Sequence, residues 1–340
     1  RVVADLLRLY EVAPLAVAHD LNPAYTSTLW AEEHTRARAP GDDAPAGPSV
    51  LACLTGLPRI LVQHHHAHLA ACLAEHGGGR ALGVVWDGSG HGPDGTAWGG
   101  EFLLGGAADY QRVGHLLPFR LPGGEAAARQ PRRVALALLW ELLGESALER
   151  RDLAPLGSFS EAELRLLRPM LQSGLGSPLT TSAGRFLDGL SALLGLRQRA
   201  TFEGEAVMAL EAILDPAEGG AYGVSRIADP AGGPDVLDWR PLLEEVLWDL
   251  ARGVPRPAIA ARILNGLAAA IAGAAARVGE ERVALTGACF QNRVLVERAA
   301  AALRRRGHEV LLHRQVPPGD GGIALGQLAV AAARLRRERS

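Results

Sequence analysis

Apolar positions recur at helical spacing from Val2 to about Val12 and shorten to a strand-like run at Leu15 to Ala18. The polar turn His19-Asp20-Leu21-Asn22-Pro23 then opens a second helix. Ala37 to Pro48, rich in Pro, Gly and Asp, reads as a loop. The short apolar run Arg59 to Val62 predicts a strand, and the helical pattern from Gln63 to Glu75 stops at Gly77-Gly78-Gly79. Ala81 to Trp86 is a further buried strand. The glycine-dense segment Asp87 to Gly95 follows it as a tight hairpin turn, with Trp98 to Leu104 as the returning strand.

From Pro131 to about Leu214 the pattern is predominantly helical, and Asp215 to Asp235 interrupts it with three prolines and several glycines. More helices follow, then a strand at Val283 to Thr286, a glycine-containing turn, and a helix to about Arg306. A strand at Glu309 to His313, a loop at Pro317 to Gly322 and a last helix complete the chain. Strands alternating with helices in this way predict α/β units.

A length of 340 residues, with 48% hydrophobic and 21% charged residues, suits a globular chain of two lobes. The net charge of −2 gives no general nucleic-acid footprint. No lysine occurs, so all 35 basic residues are arginine. Schiff-base catalysis, a pyridoxal-phosphate anchor and a P-loop lysine are thereby excluded. Any bound phosphate must be held by backbone N–H groups, arginine or a metal ion. Cys53, Cys72 and Cys289 lie far apart without a CxxC pair, which suits a reducing cytoplasm better than a disulfide framework or a cysteine zinc site. The most apolar long stretch, Pro257 to Val278, contains Arg262 and Asn265, so a buried helix is expected there and no membrane span.

Four of the eleven histidines fall within His64-His65-His66-Ala67-His68. On a helix His64 and His68 share a face at i and i+4, the spacing that lets two imidazoles grip one metal, while His65 and His66 point elsewhere. The spacing alone fits a histidine-rich surface helix equally well. Carboxylates would complete a ligand set, and Asp87 and Asp320 each stand beside glycines at a strand or helix boundary. An Asp-Gly pair by itself is as readily a turn. Gly287-Ala288-Cys289-Phe290-Gln291-Asn292 follows a strand and leads into a helix, where free N–H groups could cradle a phosphate. Asp188, one turn after Gly184, is spaced to accept from ribose hydroxyls or to pair with an arginine.

The segments HDLNPAYTST at 19–28, VQHHHAH at 62–68, WDGSGHGPDGTAWGGE at 86–101, GRFLDGLSALLG at 184–195, TFEGEA at 201–206, TGACFQN at 286–292 and PPGDGGIALGQ at 317–327 occur in order along the chain. Together they resemble the HypF carbamoyltransferases of nickel–iron hydrogenase maturation, specifically their C-terminal domain. That domain is similar to the tRNA threonylcarbamoyl-adenosine transferase and to antibiotic O-carbamoyltransferases.

The resemblance implies an actin-like α/β fold of two lobes, here 1–130 with the metal-binding segments and 131–340 with the nucleotide-binding ones. It implies a divalent metal, iron or zinc, on His64, His68, Asp87 and Asp320. Gly88, Ser89 and Gly90 would lie beside the phosphate, Asp188 would meet the ribose, and Gly184, Gly204, Gly287 and Asn292 would line the pocket for ATP or carbamoyl-adenylate. The implied reaction is carbamoyl transfer to the C-terminal cysteine thiolate of HypE, a cytoplasmic step toward the hydrogenase cyanide ligands. The alternatives are a small-molecule O-carbamoyltransferase and a non-catalytic ATP- and metal-binding docking module.

Asn22 stands where the family pattern has His, and Arg129-Gln130-Pro131-Arg132-Arg133 lacks the expected Glu and Trp. The chain is expected to start after the family's first strands and to work with the other domains of a full-length HypF. Alone, it is expected to be inactive from carbamoyl phosphate.

Overall fold

The computed structural model describes residues 1–37 and 49–339. Apart from Ala37, the loop expected over Ala37 to Pro48 lies outside the described residues. Helix α1 (Val2–Tyr10) precedes strand β1 (Val17–Asp20), helix α2 (Thr26–Thr35), strand β2 (Arg59–Val62) and helix α3 (His64–Glu75). The strands β1 and β2 pair in parallel, with Asp20 opposite Val62. Strand β1 begins two residues later than its apolar run predicts, because the ladder takes in the polar His19 and Asp20. Gln63 caps α3 by accepting the His66 N–H on its side chain at 2.8 Å.

Strands β3 (Ala81–His91), β4 (Ala97–Gly105) and β5 (Tyr110–Leu116) form an antiparallel meander. Here the structure corrects the sequence reading. Strand β3 does not end at Trp86 but runs on to His91, with a bulge between Trp86 and Gly90, so the turn shrinks to Gly92–Gly95. The extra residues of the bulge re-aim the strand, and Asp87 sits on it.

Next come β6 (Phe119–Arg120), α4 (Glu125–Arg129), α5 (Pro131–Leu143), α6 (Ala154–Gly157), α7 (Glu161–Ser173), β7 (Leu179–Thr180), α8 (Ala183–Leu193) and α9 (Glu205–Ala212). The chain continues through β8 (Ser225–Ile227), β9 (Asp235–Asp238), α10 (Arg240–Ala251), α11 (Arg256–Val278), β10 (Arg282–Thr286), α12 (Arg293–Arg305), β11 (Glu309–Leu311) and α13 (Ile323–Glu338).

The larger sheet has the order β11-β10-β3-β4-β5-β9-β8, with β7 attached to β4 and β6 to β7. Strand β3 pairs in parallel with β10 on one side and antiparallel with β4 on the other. Since β3 to β5 lie before residue 130 and β8 to β11 after it, the division expected at 130 cuts through one sheet. The two sheets separate between β2 and β3.

Alternate residues of β3 serve two cores. Leu82, Val84 and Trp86 face the helical core with Phe186 and Leu190, whereas Val85 packs with Leu69 and Leu73 of α3. Helix α11 is long and apolar enough to span a membrane, yet 67% of its most apolar window is buried inside the protein. It is a core helix, as Arg262 and Asn265 implied. On the other side of the sheet, α13 meets α3 where Gly326 abuts Ala67. A Cβ on Gly326 would stand 1.9 Å from the Ala67 carbonyl oxygen, so only glycine permits this approach.

Candidate metal and nucleotide site

The parallel strands β1, β3 and β10 bring their C-terminal ends together, the usual place for ligands in open α/β sheets. Helix α3 starts directly after β2 and presents His64 and His68 on one face, their ring centroids 5.0 Å apart. The bulge of β3 aims Asp87 at this pair. Its Oδ2 stands 3.3 Å from Nε2 of both imidazoles. From the short turn before α13, Asp320 Oδ1 approaches the same two nitrogens at 3.5 and 3.7 Å. One ligand atom from each of the four residues falls within 4.8 Å of the other three.

Three of the four are buried, and Asp320 alone is exposed. Nε2 of both His64 and His68 is buried without a hydrogen-bond partner, a costly state that a metal would relieve. Two imidazoles and two carboxylates suit zinc or ferrous iron.

Asp20, which the sequence reading quoted but gave no role, completes the centre. Its Oδ2 is 2.9 Å from His64 Nδ1. A carboxylate that accepts Nδ1–H leaves Nε2 free to ligate. Its position at the end of a strand, before a polar turn, is the same signal that picked out Asp87. Burial opposes charge on His64, but the carboxylates of Asp20, Asp320 and Asp87 outweigh it and hold its pKa well above the usual range. Burial likewise pushes Asp87 up, and His68 and His64 reverse this to hold it well below the usual carboxylate value. His65 and His66 turn away, toward Gln63 and the Gly106 carbonyl, and burial keeps His66 down at about 4.

The next residue after Asp87 opens a second space. Gly88, Gly184, Arg185, Gly204, Cys289 and Asn292 line part of a cleft of about 280 Å³, near the lower limit of small-molecule pockets, about 300 Å³. Gly184 lets α8 approach β3, since a Cβ there would lie 3.0 Å from Gly88 Cα. Asn292 caps α12 by accepting the Leu295 N–H at 2.8 Å, and its buried Nδ2 has no partner.

The other expected nucleotide residues stand off the cleft wall. Ser89 is exposed on the bulge, and Gly90 packs against the His64 and His65 rings. Gly287, at φ 98°, lies against the Trp86 carbonyl, and Asp188 is buried behind Arg185 at 3.2 Å. Glu203, Glu211 and Gln291 also line the cleft. Glu203 and Gln291 adjoin the expected Gly204 and Asn292, whereas Glu211, on α9, carries no sequence signal. A wider depression of about 740 Å³ around Asp109, Tyr110 and Arg337 contains none of the expected site residues.

A ligand set at the strand ends, a small cleft one residue away and this strand order fit an actin-like α/β protein of the Kae1-like type. The family described as "Carbamoyltransferase, Kae1-like Domain, second subdomain" matches residues 83–327, and the "HypF Kae1-like domain" matches residues 1–75. The chain therefore belongs to the HypF carbamoyltransferase family.

Carbamoyltransferase HypF of Synechocystis is 36% identical over 96% of this chain and 41% of its own length. The carbamoyltransferase HypF homolog of Cupriavidus necator is 39% identical over 93% of this chain and 77% of its own length. The crystal structure of full-length HypF in the phosphate- and nucleotide-bound form superimposes with a TM-score of 0.85 at 30% identity, over 98% of this chain and 41% of that one. The chain thus spans about two fifths of the full-length relatives that it matches.

Proposed function

We propose that this chain is the metal-dependent carbamoyl-transfer domain of a HypF, moving a carbamoyl group from carbamoyl-adenylate to the C-terminal cysteine thiolate of HypE. The observation that carries this reading is the adjacency of Asp87, a member of the ligand cluster, and Gly88, on the cleft wall. A nucleotide in that cleft directs its acyl end at the cluster. The family relatives are named carbamoyltransferases, and one solved HypF is nucleotide-bound.

His64, His68, Asp87 and Asp320 would hold iron or zinc, which supplies Lewis-acid polarisation of the carbamoyl carbonyl. Gly88, Gly184 and Gly204 admit the nucleotide close to the backbone, and Asn292 Nδ2 offers a donor. Asp188 backs Arg185 of this wall, Gly90 and Gly287 pack against His64 and Trp86, and Ser89 stays exposed on the bulge. The acceptor thiolate forms the bond to the carbamoyl carbon, the bond from that carbon to the AMP phosphate breaks, and AMP departs through the cleft.

The nucleophile comes from outside. Burial pushes the Cys72 thiol up to about 12 and Cys289 well above its usual range, so both stay protonated. A thiolate acceptor places the reaction in a reducing cytoplasm, and the other domains of the full-length protein would supply the carbamoyl-adenylate.

The test combines these domains with carbamoyl phosphate, ATP and HypE, and follows carbamoylation of the HypE C-terminal peptide by mass spectrometry. His64→Ala and Asp320→Ala are each expected to abolish transfer. Normal transfer by both variants would sink the reading.

A further inference from the structure

Asp320 differs from the other three presumptive ligands in what holds it. His64 is bonded to Asp20, and Asp87 accepts the Ala288 N–H at 2.9 Å. His68 is 1% exposed within α3. The Asp320 side chain, in contrast, is 77% exposed and faces the two imidazoles. Its place is therefore set by the backbone of the segment that carries it.

That segment is fastened to α3 by one carboxylate. Glu75, the last residue of α3, accepts the backbone N–H groups of Arg314, Gln315 and Val316 at 2.8, 2.7 and 3.4 Å. Its Oε1 is also 3.2 Å from His313 Nδ1, and the His313 and Glu75 side chains are only 5% and 7% exposed. A carboxylate at a helix C-terminus faces the negative end of the dipole, so this position needs the loop donors to be favourable. Burial pushes Glu75 up, and these donors bring it below its usual value.

Beyond Glu75 the contact continues into the strands. His313 Nε2 is 2.8 Å from Thr286 Oγ1, and that hydroxyl is 3.2 Å from the carbonyl oxygen of His68. His313 thus spans the two, with Nδ1 toward Glu75 and Nε2 toward the Thr286 hydroxyl, which donates to the His68 carbonyl, and burial lowers the pKa of the ring. From Val316 the chain passes through Pro317 and Pro318, whose fixed φ carries the anchored geometry forward to Asp320. The Pro318 carbonyl accepts the Gly287 N–H at 2.9 Å. Thr, His and Glu in this order also make up hydrolytic triads, but Thr286 is 0% exposed and no substrate reaches its hydroxyl.

We propose that Glu75, His313 and Thr286 form a buried brace that positions Asp320 opposite the His64 and His68 pair. They are positioning residues, and the inference rests on the metal centre proposed above. The test titrates cobalt(II) into the 340-residue chain and reads its visible absorption bands. It compares wild type with His64→Ala, Glu75→Gln, Thr286→Val, Asp320→Ala and the double variant Glu75→Gln/Asp320→Ala.

Glu75→Gln is expected to weaken cobalt binding about 10- to 100-fold, the usual cost of losing an outer-shell partner, and to change the band shape. Thr286→Val removes a single hydroxyl and should give a smaller loss in the same direction, so it carries the test if Glu75→Gln fails to fold. In the Asp320→Ala background, Glu75→Gln should add nothing, because its effect passes through Asp320. Losses that add in full, or unchanged affinity in both Glu75→Gln and Thr286→Val, overturn the brace. Equal cobalt affinity of wild type and His64→Ala overturns the metal centre itself, a result distinct from failure of the brace alone.

Discussion

At the metal end every buried charge meets an opposite one, with His64 ringed by the carboxylates of Asp20, Asp87 and Asp320. Behind the cleft wall the balance tips the other way. Asp188 is paired with Arg185, yet burial outweighs that guanidinium and raises the carboxyl to about 6. The ligand cluster is thus preorganised by its own electrostatics, whereas the cleft is shaped chiefly by glycines whose missing side chains leave room. One half of the site is specified by what the residues are, the other by what they lack.

The largest expected effect is on stability. Asp188 titrates near 3.8 when unfolded and near 6 when folded, so below 3.8 it is protonated in both states and imposes no penalty. As pH rises from 3.8 to 6 the folded state holds the proton more tightly, and stability falls. Above 6 the full penalty, about 3 kcal/mol from about 1.4 kcal/mol per unit, is present. Asp188→Asn should therefore raise the unfolding free energy, measured by urea denaturation, by up to that amount at pH 8, and leave it nearly unchanged at pH 3.5. A variant no more stable at pH 8 would show that Arg185 compensates Asp188 as fully as Asp20 compensates His64.

A smaller effect separates the two halves directly. Asp20→Asn should lower zinc affinity about 10- to 100-fold by loosening His64, measured against a competing chelator, while AMP binding stays as it was. An equal loss of AMP binding would break the distinction. The smallest change tests the other side. A Cβ on Gly88 would meet Glu203 Oε1 at 2.5 Å, but the Glu203 side chain is 76% exposed and can swing aside. Gly88→Ala should then keep the fold and the metal affinity, and weaken AMP binding about tenfold, or about 1.4 kcal/mol, by calorimetric titration.

The metal half was the more legible in sequence for the same reason. His64 and His68 advertise themselves by residue type and by i, i+4 spacing, and Asp87 and Asp320 stand in quotable motifs. Asp20 carries the same cue but is not legible as a partner of His64, because an acid that bonds the far nitrogen of a histidine has no spacing rule relative to a helix that starts 44 residues later. Strand β3 beyond Trp86 was hidden by its glycines, which argue locally for a turn. Pairing with Ala97 and Trp98 overrides that preference. The pairing of β3 with its parallel neighbour β10, nearly two hundred residues on, was equally illegible, because no local pattern announces it.

The contact of Gly326 with Ala67 has a mechanical consequence. Backbone touches backbone there, so α3, which carries His64 and His68, and α13, which follows Asp320, cannot slide or separate without losing the fit. Any opening of the protein must pivot around this seam and never through it. The four proposed ligands would then form the stationary jaw, and admission of the proposed nucleotide would fall to α8 and α9 on the far wall.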